Sequence, residues 1–241
     1  MISLIRTEIR KLDGSLALLL MVLAPAFPAL LVGLSISAST KASSWSSIFG
    51  SFMLPIWALF LMPMIVAAFT TLLAQIEYQA RGWDHILALP IARWQIFLAK
   101  AVVAVMGVAV MTALSIIFTG FGALVGSWMS GHEIIGALGA GKLASLTISM
   151  LASSLLFVAL QMWVALRFSS FVVPLSCGIG GTMVALAVAM TGTKQADWFP
   201  WVMPMKILAA PDRLPISMVG LAGGIVVLAA MVIDLSRHSF R

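Results

Sequence analysis

Charge is scarce in this chain. Of its 241 residues only 9% are Asp, Glu, Lys or Arg while 62% are hydrophobic, against roughly 25% charged residues in ordinary soluble domains. Mean hydropathy is +1.12. The apolar content runs the whole length, which leaves no room for a soluble domain of about 100 residues. Cysteine is scarcer still: a lone Cys177 in an apolar run excludes an intrachain disulfide and a cysteine-based metal site. His85, His132 and His238 fall in three separate polar stretches, with no ligand spacing such as H-x-x-x-H. No G-x-S-x-G elbow occurs, and no apolar run carries the acidic pair of an intramembrane protease. Gly136 to Leu143, GALGAGKL, approaches a phosphate-binding loop, but Leu143 stands where Ser or Thr would bind magnesium and no strand pattern precedes it. The chain therefore carries no nucleotide-hydrolysing apparatus of its own and is not expected to be an enzyme. Its apolar runs are also nearly free of the ionisable side chains that ion-coupled carriers place at membrane depth, with Glu77, Lys100 and Asp234 near run ends instead.

What is present is a series of apolar runs long enough, at 1.5 Å per residue, to cross about 30 Å of hydrocarbon. Six are expected: Ser15 to about Ser37, Phe52 to Ile76, Ile96 to Gly126, Leu143 to Leu166, Phe171 to Thr191 and Ile216 to Leu235. Pro25 and Pro28 predict a kink in the first and Pro63 one in the second; the third is overlong and should tilt or emerge. Gly122/Gly126 and Gly220/Gly224 permit close helix contacts, within the subunit or with a partner. Ahead of the first span, residues 1–13 set Ile2, Ile5, Ile9 and Leu12 at spacings of three and four, with Arg6, Glu8, Arg10, Lys11 and Asp13 elsewhere. That is an amphipathic helix suited to the headgroup region. No cleavable leader is expected, because the first apolar run is too long and no A-x-A site follows. The reading is an all-α integral membrane protein, one transmembrane domain over 1–241, with an N-terminal interfacial helix.

Six spans put both termini on one side. Arg6, Arg10, Lys11, Arg81, Arg93, Lys100, Arg167, Arg237 and Arg241 fall on that side, and Lys41, Lys142, Lys194, Lys206 and Arg213 on the other. The excess predicts that the termini are cytoplasmic. The same scatter, at span ends rather than in a cluster or stripe, argues against nucleic acid as the partner of the +6 net charge.

Residues 75–100 break the apolar rule. Glu77, Arg81, Asp84, His85, Arg93 and Lys100 crowd together around Trp83, Ile86, Leu87 and Leu89. Trp83, Ile86, Leu87 and Pro90 recur at intervals of three and four, which predicts a short amphipathic helix ended by Pro90 and a new helix from about Ile91. Such an element, slung between two spans, suits protein docking or surface anchoring; a solvated loop fits the pattern equally. Within the fourth span, Gln161 and Trp163 are candidates to line a substrate path, with a helix–helix hydrogen bond as the commoner use of such residues. Residues 192–215 interleave Trp198, Phe199 and Trp201 with Pro200, Pro204 and flanking charges. This predicts an external or re-entrant segment at the outer leaflet, with the three aromatics as a candidate external gate.

With that layout in place, an acid after the second span, then W-D-x-I-L-A-L-P-I-x-R, then a Lys opening the third, resembles the permease subunits of type-2 ABC exporters. The likeness is nearest to the small permeases of the lantibiotic-immunity and bacitracin-resistance type. It is carried by Glu77, Trp83, Leu87, Leu89, Pro90, Arg93 and Lys100, and loosely by the whole layout. The resemblance implies that 77–93 is a cytoplasmic coupling segment, with Glu77, Arg81, Trp83, Asp84, Ile86, Leu87, Leu89, Pro90 and Arg93 serving ATPase coupling. It implies two copies of a separate ABC ATPase subunit that bind ATP and Mg, a second permease subunit (identical or different), and a bacterial inner membrane. An apolar, charge-poor lumen points to an amphipathic cargo such as a peptide antibiotic or lipid-like molecule. The competing reading is an ATP-independent secondary transporter or a scaffold subunit, in which 75–100 is merely a solvated loop.

Overall fold

The computed structural model describes residues 1–79, 83, 86, 90–191, 196 and 198–238. Its regular structure within that set is helical, apart from one isolated bridge between Ser44 and Ile135 that ties two loops together at one end of the bundle. Six helical stretches are long and apolar enough to cross a membrane. With the sequence's hydropathy, they make this a multi-pass, all-α integral membrane protein.

The chain opens with α1, Ile2–Arg10. Ile2 is 85% and Ile9 42% exposed, while Leu12 just beyond the helix is buried. The apolar face is thus turned largely outward, as suits a helix lying in a headgroup region. Unexpectedly, Glu8 on the same helix is buried.

The first span is split into α2, Leu16–Leu23, and α3, Ala26–Ser37. Ser15 caps α2 by accepting a hydrogen bond from the Leu18 N–H at 3.3 Å, and the break falls at Pro25, which has no N–H to continue the ladder. The second span, α4, runs Ser47–Gln79 and shows what proline does when a helix bends rather than ends. Wide π turns occupy Ser47–Met53 and Trp57–Leu61. Pro55 and Pro63 follow them, and the carbonyls each proline would have engaged, those of Ser51 and Leu59, lie inside the π turns. Longer-range pairing there satisfies groups that the proline rings leave without a donor.

The third span, α5, covers Arg93–Ser130, 38 residues, or about 57 Å of helix. It ends at Gly131, whose φ of 69° and N–H bond to the Ser127 carbonyl make a left-handed cap. The remaining spans are α6, Ala140–Arg167, α7, Val172–Thr191, and α9, Leu214–Arg237. Between the last two sits the short α8, Met203–Ala209. Its Met203 and Ile207 are buried, and it packs against α6.

Two helix pairs bring backbone against backbone at glycines within the chain. A Cβ on Gly122 of α5 would lie 2.3 Å from the Ala29 carbonyl oxygen of α3, and one on Gly220 of α9 would lie 2.4 Å from the Ser153 Cα of α6. These are the small-residue spacings of the sequence, used to bring backbones into contact. The outward faces carry Leu30, Phe121, Ile148 and Val226, all more than half exposed. Lipid is the solvent that suits such surface.

Candidate coupling site

The charges missing from the spans collect at the end of the bundle where α1, the close of α4 and the start of α5 meet. Lys100, two turns into α5, is 2% exposed. Its Nζ donates to Glu8 Oε2 at 2.6 Å and to Glu77 Oε1 at 2.8 Å. Lys11 donates to the other oxygen of Glu8 at 2.6 Å and to the same Glu77 oxygen at 2.7 Å. Two carboxylates and two ammoniums thus alternate in a closed, neutral set that fastens three elements. Isolated charges at this burial are untenable, and the alternation makes the site affordable. Lys11 lies outside the spans. Burial would lower the pKa of its ammonium, but hydrogen bonds to Glu77 and Glu8 outweigh that and hold it above the ordinary lysine value.

Trp83 closes the cluster. It is 5% exposed, with its ring 5.7 Å from the rings of both Tyr78 and Phe97. Lys100 Nζ sits 5.9 Å from its centroid, within cation–π range. Trp83 therefore faces its own chain instead of offering a surface to a partner, and any part it takes in coupling is positional. Ile86 is half-buried and Pro90 exposed. Ala92, extended at φ −62° and ψ 127°, leads into α5 at Arg93, close to the expected restart after Pro90. Arg81, Asp84, Leu87 and Leu89 lie outside the described residues.

The same end is tied on its other flank. Tyr78 donates its hydroxyl to the Leu166 carbonyl at 2.7 Å, and Gln75 donates to the Ser169 carbonyl at 3.0 Å. The close of α4 is thereby bound to the short turn between α6 and α7. Trp163 Nε1 donates to Asp234 Oδ2 at 2.9 Å, and Arg167 adds a looser, half-exposed ion pair to the same carboxylate at 3.6 Å.

The candidate path residues are thus engaged elsewhere. Trp163 joins α6 to α9. Gln161, 1% exposed, donates to the Pro174 carbonyl at 2.6 Å and so locks α6 to α7. Both are helix–helix hydrogen bonds, the commoner of the two uses weighed for them. The aromatic trio at 198–201 divides. Trp198 is 71% exposed, whereas Trp201 is buried, stacked at 5.4 Å on Phe199 and lying 5.9 Å from Phe157.

Sequence reasoning missed Glu8 and Lys11, which it assigned to the water-facing side of α1. Scarcity was the available signal. With only eight acids in the chain, one beside each of two span ends, partnered burial was a competitor to solvation.

A family profile described as "ABC-2 family transporter protein" matches residues 4–185, which takes in most of α1, the ion cluster, the first four spans and most of the fifth. No curated protein and no solved structure matches the chain.

Proposed function

Because the chain belongs to the ABC-2 family of transporter proteins, we propose that this membrane permease subunit serves an ATP-driven exporter, worked through residues 77–93 by a separate ABC ATPase. Two ATPase subunits hold the ATP and Mg, and two permease subunits form the path. Both chain termini and the 77–93 segment face the cytoplasm of a bacterial inner membrane. The cargo is amphipathic, a cationic peptide or a lipid-like molecule, because the spans present almost no charge to an inorganic ion.

One observation carries the reading: the buried Glu8–Lys11–Glu77–Lys100 cluster at the base of the segment. A push on a connection reaches the spans only if its two ends are stiff. The end of α4 and the start of α5 are clamped to each other and to α1 by four contacts of 2.6–2.8 Å, and Trp83 wedges the connection against that clamp. Movement imposed between residues 80 and 92 is then delivered to both helices together. Trp198, Phe199 and Trp201 serve as the gate at the opposite end.

The test is to co-express the chain with candidate ABC ATPase subunits and purify the complex through a tag on the permease. An ATPase should co-purify, and Ile86→Asp should leave the permease in the membrane while uncoupling ATP hydrolysis from transport. Normal transport by Ile86→Asp would overturn the reading. So would labelling of Ile86→Cys, in a Cys177→Ser background, by an impermeant thiol reagent added outside intact cells.

A further inference from the structure

The cluster consumes four of the charges at this end of the bundle, and among the arginines left over there two share a hollow. Arg93, at the first position of α5, and Arg237, at the last of α9, line one cavity of about 280 Å³ with Trp94, Val232, Ile233 and Ser236. Both arginines are exposed, and neither makes an ion pair or a hydrogen bond among the described residues. The acid nearest in sequence, Asp234, is held by Trp163 and Arg167 of α6. Ala92 supplies no side-chain cap to α5, so the first-turn N–H groups add their partial positive charge at the same place. Two guanidinium groups and an uncapped helix start, converging on one hollow, form a site for a phosphate.

The hollow's apolar members identify the source of that phosphate. Ile233 is 56% exposed and lies on one stripe of α9 with Val226 and Val219, which are 67% and 54% exposed at seven-residue steps, two helical turns apart. Trp94, 47% exposed, stands beside it at the depth where indoles mark the membrane interface. The hollow is therefore the polar end of a lipid-facing track.

We propose that Arg93 and Arg237 bind the phosphate of an anionic phospholipid, whose acyl chain lies along Ile233, Val226 and Val219. Basic hollows between spans at the membrane surface are suited to such headgroups. The site requires only that α5 and α9 cross a bilayer, not that the chain exports anything or meets an ATPase.

The test uses the full chain alone, purified and reconstituted in nanodiscs of equimolar phosphatidylcholine and phosphatidylglycerol, with retained lipid read by native mass spectrometry. The wild type should retain phosphatidylglycerol over phosphatidylcholine. Arg93→Gln/Arg237→Gln should lower that preference about thirtyfold, whereas Arg213→Gln/Lys142→Gln, at the opposite end, should leave it unchanged. Arg93→Lys/Arg237→Lys should keep part of the preference, and it guards against misfolding of the neutral variant. A preference that survives Arg93→Gln/Arg237→Gln overturns the site. Equal loss in the opposite-end variant reduces the preference to bulk charge and overturns it too. Displacement of the lipid by inorganic phosphate would reassign the hollow to a free anion, and displacement by an added ABC ATPase would reassign it to a protein contact. Either would also overturn the proposal.

Discussion

Replacing Lys100 by Met tests the ion cluster most directly. The methionine keeps the length and apolar stem of the side chain but leaves Glu8 Oε2 without its 2.6 Å partner and Glu77 Oε1 with only Lys11. The site passes from neutral to a net charge of −1 at a position 2% exposed. Removing one member of a buried ion pair costs about 3–5 kcal/mol, because the remaining charge stays uncompensated. At roughly 2–4 °C per kcal/mol for a chain of this size, the midpoint of thermal unfolding should fall by about 6–20 °C. The detergent-solubilised protein can be followed by tryptophan fluorescence. Arg167→Gln, which breaks a 3.6 Å pair with 41% and 39% exposed side chains, is the control and should cost about 0–1 kcal/mol. The double variant Glu77→Gln/Lys100→Met leaves the neutral Glu8–Lys11 pair and should recover most of the loss. If Lys100→Met matched Arg167→Gln, or the double variant were no better than the single one, the clamp would have to be abandoned.

Trp83→Ala should cost about 3–5 kcal/mol from lost burial, and Trp83→Phe much less, both read as unfolding midpoints. Gly122→Val should weaken the α3–α5 contact by about 1–3 kcal/mol through overpacking against Ala29; Gly120→Val, where a Cβ meets nothing within 4 Å, should be silent. The raised pKa of Lys11 gives a pH dependence of definite sign. Its stabilisation is complete below the unfolded-chain value of about 10.4 and is lost as pH rises through the higher folded value. Lys11→Met should therefore lack an alkaline destabilisation step that the wild type shows in a pH-resolved thermal melt.

The spans were legible because the bilayer imposes length and hydropathy on every one of them, and the expected bounds fell within a few residues of the helices except at the start of α4. There the sequence suggested loop until Ser51, yet the helix begins at Ser47. The serine-rich stretch concealed a turn that Pro55 forces into π geometry. Proline positions foretold where the first two spans would be disturbed but not how: Pro25 breaks the ladder outright, whereas Pro55 and Pro63 widen it. The cluster was hidden for a different reason. Glu8 and Lys100 are 92 positions apart, and each, taken locally, satisfied an ordinary rule for charge at a span end. Only the packing of α1 onto α5 shows that they meet. The burial of Trp83 was out of reach for the same reason. Its helical spacing with Ile86 gave an apolar face, but only the fold brings Tyr78, Phe97 and the Lys100 ammonium around the indole.

That separation along the chain also dictates an order of assembly. At roughly 5–20 residues per second of synthesis, the ammonium that neutralises Glu8 emerges roughly 5–18 seconds after the glutamate. Until then Glu8 has only its own helix's neighbour Lys11 beside it and no reason to be buried. The ribosome must deliver the third pass before the first segment made can settle, so the oldest part of the polypeptide is among the last to find its seat.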